Sequence, residues 1–156
     1  MIARLFLAAT LSLACTTLSA SELVLTFPDG RSIALSSSTL AALKRESISA
    51  TSHDITSTYE GYDLASVLKT VGSMSTESLR GKDLARTIVV SATDRYRVVF
   101  SLAELDPTLG NRQVYLVNQE NGKPLADKDG PWRLVIPADK RPARWIRQVS
   151  SIAISD

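Results

Sequence analysis

Residues 130–145, GPWRLVIPADKRPARW, set Arg133, Lys140, Arg141 and Arg144 between two tryptophans, Trp132 and Trp145. Guanidinium groups donate forked hydrogen bonds and stack on planar rings, and indoles supply the matching apolar face. Such a set can grip a planar heterocycle together with its carbonyls or a phosphate. The same residues can also form a solvated basic loop with both tryptophans in the core, and the sequence leaves both readings open. Between Lys128 and Arg147 six cations face only Asp129 and Asp139, whereas the whole chain carries a formal charge of +2. A local excess of that kind suits a small anion. A nucleic-acid partner is not expected, because it would call for basic residues over a whole surface.

Other residues with chemical potential are sparse. Asp94, in the TDR turn, can cap that turn, or accept paired N–H donors of a ligand ring. Tyr96 can stack on a ring or pack the hairpin. Ser52, His53 and Asp54 supply the residue types of a hydrolase triad, but as neighbours in one extended strand they would point to alternate faces and could not align. His53 is the sole histidine and Cys15 the sole cysteine, so neither a structural zinc site nor a three-histidine catalytic one is expected.

Cys15 falls in MIARLFLAATLSLACTTLSASE, where Arg4 precedes an apolar run to about Leu18 and small residues to Ala20. That is the layout of a secretory signal peptide, residues 1–20, leaving 21–156 as a single periplasmic domain with neither disulfide nor thiolate.

The elements that must position these residues follow from pattern. PDGR between Glu22–Phe27 and Ser32–Leu35 predicts a hairpin, and Ser36–Ser38 can cap a short helix over Thr39–Arg45. Ser47–Thr58 reads as extended. GYDLASVLKTVG, residues 61–72, predicts a helix capped by Asp63, striped by Leu64, Val67, Leu68 and Val71, and ended at Gly72. Thr87–Ala92 and Tyr96–Ser101 predict a hairpin, and Ser101–Leu105 a short capped helix. Gln113–Asn118, Trp132–Ile136 and Ile146–Ile154 read as strands, the last alternating imperfectly. Many short strands with few short helices give an α+β domain on a mixed β-sheet.

The order YEGYDLASVLKTVG, IVVSATDRYRVVFSLAEL, VYLVNQENGKPLADKDGPWRLVIPADKRPARWIRQVSSIAI resembles the molybdopterin-binding domain of the sulfite oxidase family, over roughly residues 45–154. The resemblance implies that Arg133 contacts the cofactor's phosphate or pterin. It also places Arg144 where a lysine usually holds the pterin, Arg141 at a nearby basic position, and Asp94 in the turn beside the site. Asp129 stands where many members carry a histidine. The family's molybdenum-binding cysteine falls near Thr51 or Ser52, and a hydroxyl does not replace a soft thiolate. The resemblance therefore implies a non-catalytic protein binding molybdopterin or a simpler tetrahydropterin without molybdenum. Small exported relatives of that kind act on the periplasmic part of a membrane sensor, often a cyclic-di-GMP synthase or phosphodiesterase. Two rivals remain: a molybdopterin oxidoreductase with a non-cysteine ligand, and an interaction module with a vestigial pocket.

Overall fold

The computed structural model describes residues 23–75 and 78–155. The expected signal peptide, Cys15 included, lies outside the described residues. Strands β1 (Val24–Thr26) and β2 (Ser32–Ala34) pair antiparallel. Asp29 closes their turn by accepting from the backbone N–H and the guanidinium of Arg31. Helix α1 (Ser37–Ala41) is capped by Ser36, whose side chain accepts from the Thr39 N–H. It ends before the expected Thr39–Arg45 span is complete. Arg45 instead reaches across the next hairpin, bonding Glu60 and Asn118.

The segment 47–58 is not one extended run. It folds as β3 (Glu46–Ser52) and β4 (Ile55–Asp63), paired along their length, with His53 and Asp54 as the two turn residues at φ 50 and 64. Two left-handed residues are what a tight hairpin of type I′ requires. Asn121–Gly122 make the same turn between β7 (Tyr115–Glu120) and β8 (Lys123–Pro124), at φ 51 and 74. Placing His53 in a strand was therefore wrong; it sits at a hairpin tip.

Helix α2 (Leu64–Thr70) starts at the Asp63 cap, which accepts from the Ser66 N–H at 2.9 Å, and Gly72 follows its end at φ 75. Its stripe of Leu64, Val67 and Leu68 is buried. A 3₁₀ turn, Gly81–Ala85, leads to β5 (Thr87–Ala92), β6 (Arg97–Ser101) and α3 (Leu102–Leu105), the last capped by Ser101. β9 (Arg133–Val135), a 3₁₀ turn at Pro142–Arg144, and β10 (Val149–Ser155) complete the order. The imperfect alternation of the last strand has a cause: its register against β5 shifts between Val149 and Ser151, a bulge that resets which side chains face inward.

The strands form two sheets where one mixed sheet was expected. The first has order β2-β1-β10-β5-β6 and is mixed, because β1 and β10 run parallel. The second has order β3-β4-β7-β8, with β9 also on β7. Both contribute to one buried cluster that includes Leu25, Val90, Phe100, Leu116, Leu134 and Ile152. The β9-to-β10 connection carries the chain from the second sheet to the first, and residues 136–148 lie on it.

Gly61, expected to open the α2 helix, lies inside β4 at a register shift against β7. A Cβ there would overlap the Leu116 carbonyl and the Val117 Cα. We expect Gly61→Ala to destabilise by about 1–3 kcal/mol, typical of overpacking a tight contact. A urea transition whose midpoint does not fall would contradict this.

Asp106, 2% exposed, follows α3 and accepts from the Thr108 hydroxyl and N–H, and from the Leu79 N–H. The Thr108 hydroxyl above all holds its carboxyl below the usual carboxylate range, against the opposing effect of burial. A depressed folded pKa adds stability that is fully present above the unfolded value of about 4 and lost as pH falls through the folded one. Stability of Asp106→Asn should accordingly vary less with pH between about 5 and 3 than that of the parent, read from urea midpoints at each pH.

Candidate functional site

The strand run Trp132–Ile136 leaves the second sheet and returns through Trp145 and Ile146. The Leu134 N–H donates to the Ile146 carbonyl at 2.9 Å, and Trp145 Nε1 donates to the Ile136 carbonyl at 3.0 Å. These bonds close residues 136–146 into a loop whose ends are held by buried residues. Arg144 fastens its middle: Nε and Nη2 meet both oxygens of Asp139 at 2.9 and 2.6 Å, and Nη1 meets Glu104 of α3 at 3.1 Å. Its guanidinium lies 5.0 Å from the Phe100 ring centre. Arg112 approaches the same two acids at 3.7 and 3.8 Å. The hydrogen bonds with Asp139 chiefly push the Arg144 pKa further above its ordinary value, so this cation stays charged.

Arg133 is likewise turned inward. Its side chain is 13% exposed, 4.0 Å from Asp129, with its guanidinium near the rings of Tyr59 (5.6 Å) and Trp145 (5.9 Å). Its Nε is buried and has no hydrogen-bond partner among the described residues. Arg147 approaches Asp129 from outside at 3.6 Å. Burial raises the Tyr59 phenol, and the Arg133 charge partly offsets that. Trp145 is buried edge-on to Tyr59, and Trp132 packs at a tilt on Tyr62. Of the two arginines best matched by the resemblance, Arg144 is thus bound to the protein's own carboxylates, while Arg133 lies 4.0 Å from one and keeps a buried Nε without a partner among the described residues.

Two concavities flank the Pro142–Ala143 turn, which forms a wall of each. The first, about 260 Å³, is lined by Asp94, Tyr96, Lys128, Trp145, Arg147 and Gln148, among others. Asp94 Oδ1 accepts from the Tyr96 N–H, and the Tyr96 hydroxyl donates to the Ala143 carbonyl, fixing the wall. The second, an open groove of about 680 Å³, lies between the β3–β4 tip and the loop, lined by Thr51, His53, Asp54, Lys140 and Arg141. Ser52 sits beside it, its hydroxyl 3.0 Å from His53 Nδ1.

Of the residues singled out in the sequence, the structure gathers Asp94, Tyr96 and Trp145 at the first concavity and His53, Lys140 and Arg141 at the second. Trp132, Asp129, Arg133 and Arg144 line neither. Sequence reasoning missed Lys128, Arg147 and Gln148 as lining residues, although the basic excess contained two of them; Gln148, at φ 49, gave no signal.

The donor set near the expected thiolate position does not fit molybdenum. Thr51 and Thr56 share a hydroxyl–hydroxyl bond of 2.8 Å, and the Ser52 hydroxyl is engaged by His53; both are hard, weakly acidic oxygens. The first concavity offers a different set of groups, which a planar organic ring could meet. The second oxygen of Asp94 has no hydrogen-bond partner among the described residues, Tyr96 is half exposed, and Lys128 and Arg147 can donate to ring carbonyls.

No family model and no curated protein matches this chain. Among solved structures, the sulfane dehydrogenase SoxCD from Paracoccus pantotrophus matches with a TM-score of 0.62 at 14% identity. The match covers 86% of this chain and 38% of that one. At this identity the likeness concerns the fold, so the chain shares a folding unit that makes up under half of that enzyme's chain.

Because Arg144 makes forked bonds to a carboxylate that is mostly buried, Arg144→Ala should cost about 1.5–3 kcal/mol, the range for hydrogen bonds to charged groups. Arg144→Lys should recover little of it, since an ammonium cannot reproduce the fork. Urea denaturation of the two variants measures this; a Lys variant as stable as the parent would show that charge alone suffices.

Proposed function

We propose that the chain is an exported, periplasmic, non-catalytic protein that binds a pterin or a related planar heterocycle, on the fold of the sulfite oxidase molybdopterin domain. Its role on this reading is to modulate a membrane-bound signalling partner, such as a cyclic-di-GMP synthase or phosphodiesterase. One observation carries the ligand part: a small concavity pairs a carboxylate, Asp94, with a half-exposed ring, Tyr96, and two cations, Lys128 and Arg147. Planar rings with adjacent N–H donors and carbonyls meet that set of groups, whereas a chain of alkyl groups would leave the polar wall unpaired.

Hydroxyls at the position of the expected thiolate support binding over metal-centred oxidation, because hard oxygen donors do not hold a soft-ligand metal. A role as a sensor carries one further requirement. The partner must distinguish the loaded from the empty protein, since a ligand shifts an equilibrium only through differential affinity.

The full chain, expressed with its leader and purified from the periplasm, should release a fluorescent pterin on denaturation, without stoichiometric molybdenum. Mass spectrometry and metal analysis of the released fraction read both. Asp94→Ala should lower the retained ligand about tenfold, the effect of losing a charge-assisted pair of hydrogen bonds. Pterin with stoichiometric molybdenum would favour an oxidoreductase, and no released ligand a vestigial pocket.

A further inference from the structure

The edges of a β-sheet expose unpaired N–H and C=O groups, and proteins blunt them with short strands, prolines, charges or covering elements. Three outer strands of this fold carry such devices. β2 has three residues, β8 is the dipeptide Lys123–Pro124, and β6 carries Arg97 and runs directly into α3. β3 carries one charge, Glu46 at its first residue, and no other such device. It spans seven residues, ESISATS, without proline or cation, at the outer end of its sheet.

Which of its groups face outward follows from the turn. In a two-residue hairpin the residues flanking the turn exchange ladder bonds, so Ser52, Ala50, Ile48 and Glu46 bond to β4, and Ser47, Ser49 and Thr51 turn their N–H and C=O away. The opposite strand agrees: Thr58, facing Ser49, spends its own N–H and C=O on Asn121 on the far side. Among the described residues no backbone hydrogen bond reaches Ser47, Ser49 or Thr51 from outside the hairpin. The line of free groups ends at Thr51, which also lines the groove holding Lys140 and Arg141. Both cations are exposed, and neither has an ion-pair partner among the described residues.

We propose that β3 is a strand-addition site for an extended segment of a partner protein, and that this segment places an acidic group over Lys140 and Arg141. Main-chain bonds to Ser47, Ser49 and Thr51 would supply affinity, and the cations at the strand's end would set direction and register. The Ser47, Ser49 and Thr51 side chains are small and uncharged, so they impose little on the added strand's own side chains. A second copy fits less well. A strand about 23 Å long buries far less than the roughly 800 Å² per partner of a standard stable interface, while a peptide-like segment needs only the edge and its charged anchor.

This inference shares Lys140 and Arg141 with the groove beside the proposed ligand site, but Ser49 lies outside that site. A test at Ser49 therefore separates failure of one reading from failure of the other.

The probe is a displayed library of random ten-residue peptides selected on the full-length protein, followed by titration of the enriched peptides. Binders should be free of proline, rich in β-branched residues, and acidic at one end. Ser49→Ala should leave affinity unchanged, because the main chain is read. Ser49→Pro, which removes the outward N–H, should weaken binding about tenfold or more, with the circular dichroism of the parent. Lys140→Glu should weaken it comparably. An independent arm keeps the protein unaltered: a peptide N-methylated at alternate residues should bind in one phase and fail in the other. The proposal is overturned if no acidic extended consensus emerges. It is equally overturned if binding survives Lys140→Glu and both phases of methylation, or if Ser49→Pro abolishes a self-association of the chain and not peptide binding.

Discussion

The passage of the chain from one sheet to the other is the constraint on which the candidate site depends. β9 belongs to the second sheet and β10 to the first, and the residues between them must leave one layer and enter the other without abandoning buried backbone groups. Trp145 Nε1 on the Ile136 carbonyl and Leu134 on Ile146 answer that need at the base of the crossing. Further out, the Arg144–Asp139 fork ties the loop to itself, while Glu104 and Phe100 tie it to α3 and β6. Two arginines and two carboxylates meet there, so the cluster is close to neutral and can tolerate partial burial where a lone cation could not. Lys140 and Arg141 are left facing outward on a loop whose neighbours are held.

Much of this was legible in the sequence where a local signal had one physical meaning. Ser36, Asp63 and Ser101 were readable as caps because each is a short polar side chain just ahead of a helical segment, and each accepts from the third N–H on. The Thr87–Ser101 hairpin was readable because its residues alternate and an aspartate sits in the turn. The β3–β4 hairpin was not readable, although it is as tight as the one at Asn121–Gly122. Both use two left-handed residues, but the later one spells that out with Asn-Gly, while His-Asp adopts it with no comparable bias. The second sheet was hidden for a related reason: strand count reports pairing poorly when a chain's partners are far apart in sequence, as β4 and β7 are.

The cationic cluster was legible in composition, and the orientation of its side chains was not. Spacing showed that cations and tryptophans cluster, yet it could not show which carboxylate each arginine would meet. Asp129 lies four residues before Arg133 and Asp139 five before Arg144, near enough to pair, but Glu104 reaches Arg144 only through the fold. Arg144 thereby became an internal support, and the first concavity is lined instead by residues with weaker motifs: Asp94, Tyr96, Lys128 and Arg147.

The two concavities share a wall at Pro142–Ala143, and this geometry gives the loop a second consequence. Tyr96 holds the Ala143 carbonyl from one side, while the β3–β4 tip stands across the groove on the other. A group bound against Tyr96 and a segment bound along the groove would press on the same short 3₁₀ turn from opposite faces. Because the turn's flanks are pinned by Trp145 and by the Arg144 fork, it has little room to yield to both. Under the two proposals, occupancy of one face would bear on the other only insofar as this turn differs between the two bound forms, since coupling needs two states that each ligand distinguishes.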